Sequence, residues 1–160
     1  ITRSRSPKLV TTSSGSIRSI GIPIWKIRVG AYRSWTVFSD FASYPEWNPF
    51  VRAIKGDVRV GKRIEAVLQP PNQKEMVFKP RIIKLVPRRE FRWHGMLGIR
   101  GLFDGEHIFE VHPAAPSKVR FVQREIFRGL LVPMILKSIE KNTRAGFEQM
   151  NTALKERCEA

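Results

Sequence analysis

Cysteine is almost missing from this sequence of 160 residues, in which Cys158 is the only one. One thiol cannot form an internal disulfide, so a small disulfide-stapled scaffold is excluded. A zinc site built on cysteines is excluded for the same reason, and the three histidines lack the tight spacing of a metal site. We therefore predict that the protein holds neither a metal nor another cofactor.

Long apolar runs are missing too. Lys, Arg, Glu or Pro interrupts every apolar stretch before it reaches the roughly 18 to 20 residues that a membrane-spanning helix needs. The sequence also lacks a G-x-S-x-G elbow, a phosphate-binding loop and a dinucleotide-binding glycine pattern. We expect an intracellular protein that is soluble or peripheral to a membrane and carries no familiar catalytic signature.

Acidic residues are scarce, because 14 Asp and Glu stand against 29 Lys and Arg, for a net charge of +15. Part of the excess comes from residues 1–33, which contain basic side chains and no acid. Residues 1–20 are also rich in Ser and Thr. That composition is typical of a mitochondrial or other organelle transit peptide, and a disordered basic tail has it as well. We therefore divide the chain into a leader, residues 1–20, and a domain, residues 21–160.

Apolar side chains are abundant, since 42% of the residues are hydrophobic and ten Phe and four Trp are among them. That suffices for one sizeable core but hardly for two. Residues 21–29 predict a strand, which Pro23 weakens. Aromatic residues at helical spacing predict a short helix over residues 31–41, and two prolines limit residues 43–49 to a single helical turn.

The apolar pattern changes to a period of two after residue 49. Short β-branched and aromatic runs alternate there with clusters of Gly, Pro and Asn, which predicts strands joined by turns. Sequential strands with short connections favour an antiparallel meander. Six strands are predicted in this region, over residues 50–55, 63–69, 74–86, 90–97, 102–112 and 118–127.

The last segment, residues 130–159, has an apolar stripe at helical spacing and no proline beyond its first turn. It predicts a long amphipathic helix, the only element long enough to cover the apolar face of the sheet. The predicted fold class is α+β. An antiparallel sheet of about seven strands wraps around the long C-terminal helix, and two short helices follow the first strand.

Local strings within residues 22–157 carry a family resemblance. They are SDF (39–41), YPEWNPF (44–50), FRWHG (91–95), GEHIF (105–109) and EIFRGLL (125–131). With the order of elements, they resemble the SRPBCC, or START-like, superfamily, which includes polyketide cyclase/dehydrase-like and coenzyme-Q-binding proteins. The resemblance implies a helix-grip fold. Members range from lipid carriers to cyclases, so the resemblance supports a fold more than a function.

Strand alternation assigns the side chains that point into the grip. His107, Gln123 and Glu125 then lie among aromatic neighbours, as the few orienting polar groups of an apolar pocket do. We predict that a lipid, quinone or polyketide-like molecule binds between the sheet and the last helix, without catalysis. The candidate ligand-binding residues are Phe78, Phe91, Trp93, His107, Phe109, Gln123, Glu125, Phe127 and Met150.

His107 and Glu125 allow two further interpretations. Facing each other across adjacent strands, they are candidates for the acid and base of a polyketide cyclase or dehydratase, with the pKa of Glu125 raised by burial. The structural alternative is a His–Glu hydrogen bond that only fills the core. Contact with a ligand, catalysis and core packing all stay open at this point.

A dense basic stretch, residues 79–89, bears on possible macromolecular partners of the protein. It is either an ordinary solvated strand face or a contact with the anionic headgroups of a membrane. Nucleic acid is a disfavoured partner, because aromatic side chains are not interleaved with the basic ones as base stacking requires. The predicted partners are thus an apolar small molecule and, as an alternative function, an anionic membrane surface.

Overall fold

The computed structural model describes residues 10–11 and 16–160 of the chain. This part of the chain has ten strands and three α-helices, in the order three strands, two short helices, seven strands and a long helix. The predicted α+β class is confirmed. The strands are β1 (Val10–Thr11), β2 (Ser16–Gly21), β3 (Trp25–Ile27), β4 (Val51–Lys55), β5 (Glu65–Leu68), β6 (Met76–Phe78), β7 (Arg81–Val86), β8 (Glu90–Met96), β9 (Asp104–Ala115) and β10 (Lys118–Gly129). The helices are α1 (Ala31–Ser39), α2 (Tyr44–Trp47) and α3 (Val132–Glu159), with a 3-10 turn at Phe41–Ser43 before α2.

The strands form two antiparallel sheets. Seven strands make the larger one, in the order β1-β2-β10-β9-β8-β7, with β3 also paired to β10. The smaller sheet has the order β4-β5-β6. Three backbone hydrogen bonds link the segment before β5 to β7 and Pro80: the Ile64 N–H donates to the Pro80 carbonyl at 3.0 Å, the Ile82 N–H to the Lys62 carbonyl at 2.9 Å, and the Gly61 N–H to the Ile82 carbonyl at 2.8 Å. The two sheets thereby form one curved wall around α3.

The strand count exceeds the prediction of about seven, partly because Pro80 divides the strand predicted over residues 74–86. β6 ends before Pro80 and β7 begins after it. Proline has no N–H to donate to a strand ladder, so a sheet tolerates it at an edge or an interruption. The interruption lets β6 turn away from β7 and pair with β5 instead.

The N-terminal strand prediction is wrong in its boundaries. Residues 21–29 are not one strand, because β2 ends at Gly21 and β3 starts at Trp25, on either side of Pro23. Both strands pair with β10, and Ile20 of β2 is fully buried. Residues 16–20, which the prediction assigned to the leader, therefore form part of the sheet. The predicted targeting role of residues 1–20 concerns residues that mostly lie outside the described ones.

Aromatic side chains fill one end of the grip. Phe38 of α1 packs on the inner face of β8, β9 and β10. Its ring centroid lies 6.2 Å from that of Phe91, 5.2 Å from that of Phe109 and 5.5 Å from that of Phe121. The Arg33 side chain of α1 donates to the carbonyl of Cys158 at 2.9 Å. The solid aromatic core therefore lies at the C-terminal end of α3, and we call it the closed end.

The helix α3 covers the curved wall along its whole length. It has 28 residues and is about 40 Å long at 1.5 Å per residue. Phe147, Met150 and Leu154 are buried against the sheet, while charged residues face outward. Among the described residues, no helix combines the length and the apolar character needed to cross a membrane.

Candidate functional site

Strand register places the inward side chains of β8, β9 and β10 in rows across the sheet. Phe91, Phe109 and Gln123 form the first row. Trp93, His107 and Glu125 form the second. Both rows point inward as predicted, because successive residues of a strand alternate between its two faces.

The next row opens a space in the core. Gly95 of β8 pairs with Gly105 of β9, and Phe127 of β10 completes the row. In this row neither β8 nor β9 carries a side chain, and α3 passes over the space that is left empty. A cavity of about 220 Å³ results, close to the size at which small-molecule sites begin.

The cavity walls come from both sheets and from the N-terminal half of α3. They are almost entirely apolar, and the polar side chains among them are Gln73, Glu125, Asn142 and Thr143. The apolar and backbone positions on the wall are Phe50, Ala66, Leu68, Pro70, Met76, Phe78, Pro80, Trp93, Gly95, Met96, Leu97, Phe103, Gly105, Phe127, Ile135 and Ile139.

Glu125 is the ionisable side chain on this wall. It is half-buried, because part of its surface faces the cavity. The Glu125 Oε1 occupies the space above Gly105, because a Cβ added to Gly105 would lie only 2.8 Å from this oxygen. Within residues 10–11 and 16–160, no hydrogen bond to the carboxyl of Glu125 is found. Burial among apolar groups raises the pKa of its carboxyl to about 8, so the carboxyl is mostly protonated at neutral pH.

His107, in register with Glu125, is held by other neighbours. Its ring stacks on Phe109 with centroids 4.2 Å apart and also packs against Phe147 and Trp93, at 4.9 and 5.1 Å. The Gln123 side-chain amide is hydrogen-bonded to the His107 Nε2 at 2.9 Å. Burial lowers the pKa of His107 to about 3, so the ring is neutral.

The geometry separates the predicted pair. His107 and Glu125 are paired residues on β9 and β10, as expected, but the hydrogen-bond partner of His107 is Gln123. The Glu125 carboxyl leans instead toward the glycine row. The interpretation of the pair as a His–Glu hydrogen bond that fills the core is therefore wrong.

The predicted site residues fall into two groups. Phe78, Trp93, Glu125 and Phe127 line the cavity. The other five are buried but do not belong to its wall, and they pack between the cavity and the closed end. These five are Phe91, His107, Phe109, Gln123 and Met150.

Several wall residues were missed by the sequence reasoning. Ile135, Ile139 and Thr143 lie on one helical stripe, and a polar residue on that stripe is a signal that could have marked a cavity. Met96 and Leu97 have no such signal, because Met96 is the last residue of β8 and Leu97 begins the β8–β9 loop, where strand alternation ends. Phe50 and Phe103 lie near the starts of the strands predicted over residues 50–55 and 102–112. Phe103 falls on the same face as His107 by alternation, which is a signal that could have found it.

Comparisons with known proteins agree with this architecture. A sequence family described as "Polyketide cyclase / dehydrase and lipid transport" matches residues 26–159. No match is found among curated protein sequences.

Solved structures share the fold at low sequence identity. The ZhuI aromatase/cyclase from Streptomyces sp. R1128 superposes with a TM-score of 0.72 at 11% identity, over 89% of this chain and 94% of that one. Norcoclaurine synthase from Thalictrum flavum, solved with dopamine and hydroxybenzaldehyde, gives 0.67 at 16% identity, over 95% and 96%. A START superfamily protein from Mycobacterium smegmatis gives 0.66 at 19% identity, over 89% and 97%.

Proposed function

The chain belongs to the polyketide cyclase/dehydrase and lipid transport family, and we propose that it binds an apolar small molecule that carries a hydrogen-bond acceptor. The proposed binding site is the cavity between the sheet and α3. The family and the fold support a ligand-binding or cyclase role in general. The choice of a ligand with an acceptor comes from the chemistry of the cavity wall.

The observation that carries the proposal is the Glu125 carboxyl on an otherwise apolar wall. A carboxyl enclosed in this way stays protonated at neutral pH and becomes a hydrogen-bond donor. A buried donor without a partner costs free energy, so a ligand that supplies a carbonyl or ether oxygen gains affinity there. The surrounding Trp93, Phe127 and Ile139 give the rest of the ligand an apolar surface.

A matched pair of probes tests the role of the acceptor. 2-Acetonaphthone and 2-ethylnaphthalene share the naphthalene ring and a two-carbon substituent, and only the first has a carbonyl oxygen. We expect the wild type to bind 2-acetonaphthone about three- to tenfold more tightly, the value of one buried hydrogen bond. Quenching of tryptophan fluorescence measures both affinities, because Trp93 lines the cavity. Equal affinities of the two probes would show that Glu125 does not donate a hydrogen bond to the ligand.

Two variants serve as controls for this experiment. Glu125→Leu should keep the affinity for 2-ethylnaphthalene and lose the preference for the ketone. Gly95→Leu should weaken both probes, because its side chain fills the cavity from the sheet. A Cβ at Gly95 meets only Pro80 Cβ, at 3.7 Å, so this position accepts a side chain without a backbone clash. Full binding of both probes by the Gly95 variant would place the ligand elsewhere.

A second candidate function is a dehydratase step, favoured by the same carboxyl. A protonated Glu125 can deliver its proton to the leaving hydroxyl of a bound β-hydroxyketone and then, as a carboxylate, accept the α proton. The C–O bond breaks, water leaves and an enone forms. Glu125 performs both transfers in this step, because His107 does not reach the cavity wall.

The dehydratase step has a direct assay. Conversion of 4-hydroxy-4-phenyl-2-butanone to 4-phenyl-3-buten-2-one produces a conjugated enone that absorbs in the near ultraviolet. If the step occurs, the wild type accelerates it and Glu125→Gln lowers the rate about a hundredfold or more, as loss of a general acid–base group does, with little effect on ketone binding. No acceleration by the wild type would leave binding as the function of the cavity.

A further inference from the structure

Exposed apolar side chains cluster where the cavity meets the surface. They sit in the β8–β9 loop and around the start of α3, and we call Leu97, Ile99, Leu130 and Met134 the mouth patch. Their exposed fractions are 55%, 73%, 71% and 66%. Single exposed apolar residues are ordinary on protein surfaces, but a group at one place marks an interaction site.

Hydrogen bonds hold the two segments of the mouth patch side by side. Leu130 N–H donates to the Gly101 carbonyl at 3.1 Å, and Leu131 N–H donates to the Leu102 carbonyl at 2.9 Å. Gly129, with a φ of +143°, permits this approach, because a Cβ there would collide with the Leu102 carbonyl. The loop and the start of α3 thus form one continuous surface.

The mouth patch borders the proposed ligand site. Leu97 belongs both to the patch and to the cavity wall, and Ile135 lines the cavity directly after Met134. The aromatic closed end lies at the other end of α3, beside Arg33 and Cys158. A ligand entering through the patch would therefore reach Glu125 without passing the aromatic core.

Basic residues flank the mouth patch. Arg100 lies in the loop, and Lys137 and Lys141 follow Met134 by one and two turns of α3; all three are exposed. Within the described residues, none of the three takes part in a salt bridge. Of the nearby acids, Glu140 pairs with Arg144 at 3.1 Å, which leaves Asp104 against the three cations. The charge around the patch is thus positive.

We propose that the mouth patch docks on a lipid bilayer that carries anionic headgroups. Apolar side chains that enter the acyl boundary, flanked by cations that stay at headgroup level, are the chemistry of interfacial membrane binding. The docked orientation turns the cavity mouth toward the lipid, where apolar molecules dissolve. This direction of ligand entry rests on the proposed function, whereas the docking itself does not.

Sedimentation with vesicles tests the docking, using phosphatidylcholine alone and phosphatidylcholine mixed with phosphatidylserine. We expect the wild type to bind only the mixed vesicles and to release them as salt rises. Ile99→Ser with Met134→Ser should weaken binding about tenfold or more, from the lost burial of two apolar side chains. Tyr32→Ser is the matched control, because Tyr32 is 74% exposed on α1 at the closed end.

A pair of charge variants separates docking from general attraction. Reversing Arg100, Lys137 and Lys141 to Glu should lower binding about a hundredfold or more. Reversing Arg88, Arg89 and Lys118 to Glu changes the net charge equally. Arg88 and Arg89 lie in the β7–β8 turn and Lys118 begins β10, so all three lie at the strand ends away from the mouth patch. Equal losses in both triple variants, or no binding of the wild type to mixed vesicles, would overturn the proposal.

Binding of 2-acetonaphthone in vesicle-free solution distinguishes the two proposals. The residues that the mouth variants replace do not line the cavity. The variant proteins should therefore bind this probe with the same affinity as the wild type. Vesicle docking without probe binding would contradict only the proposed function. Probe binding without vesicle docking would contradict only the docking surface.

Discussion

Glu125→Gln is expected to stabilise the folded protein at about pH 9 by several kcal/mol, on the order of 4, and to change its stability little near pH 4. The cause is the apolar surroundings of the Glu125 carboxyl, which raise its pKa from 4.5 to about 8 in the folded protein. Glutamine has nearly the same shape and stays neutral at every pH of the experiment.

The sign follows from proton linkage. In the unfolded chain Glu125 loses its proton near its ordinary pKa, whereas in the folded protein it keeps the proton until about pH 8. Between these two values the folded state binds more protons, so stability falls as pH rises. The loss begins near pH 4.5 and is complete above about pH 8.

Urea unfolding of wild type and Glu125→Gln across this pH range measures the effect. The two stability curves should coincide at acidic pH and diverge steadily above it. Glu148→Gln is the matched control, because Glu148 is exposed on α3 and its curve should run parallel to that of the wild type. Parallel curves for Glu125→Gln as well would mean that the Glu125 carboxyl is solvated in the folded protein.

Gly146→Ala is expected to destabilise the protein by about 2–3 kcal/mol, although alanine is the better helix former. Gly146 lies inside α3 where the helix crosses Phe50. A Cβ at Gly146 would lie 2.6 Å from Phe50 Cε2 and nearer still to Cδ2. The Phe50 ring is buried and packs edge-on against Phe147, with centroids 5.6 Å apart. To relieve the clash the ring must give up this packing and shift toward the cavity that it lines.

A double-mutant cycle with Phe50→Ala isolates this contact. In the Phe50→Ala background the ring is gone, and Gly146→Ala should then stabilise the protein by up to about 1 kcal/mol through helix propensity. The effect of Gly146→Ala on the stability thus changes sign when Phe50 is replaced by alanine. Chemical denaturation of the four proteins measures the cycle. Destabilisation of similar size in both backgrounds would contradict the clash with Phe50.

The inward faces of the central strands were predictable from the sequence. Alternation placed Trp93, His107 and Glu125 inside the grip, and the structure confirms this orientation. The reason is local: a strand turns successive side chains to opposite faces, whatever the rest of the chain does. The same local logic predicted α3 from its apolar stripe. It also limited residues 43–49 to a single helical turn, because two prolines lie there.

The hydrogen-bond partner of His107 was not predictable, because partners are chosen across the fold. Strand pairing brings His107 opposite Glu125, yet the ring is hydrogen-bonded to Gln123 and packs against Phe147 of α3. The position of α3 along the sheet decides which of these neighbours is within reach. Sequence alternation holds no information on that position.

The sequence by itself therefore determined the class of the fold, the long helix and the faces of the strands, since these depend on backbone geometry over a few residues. Only the tertiary structure decided where the core stays open. The cavity exists because Gly95 and Gly105 meet across two strands while α3 bridges the space above them. Such a gap depends on strand register and on the helix position, both of which are set by contacts between residues far apart in the chain.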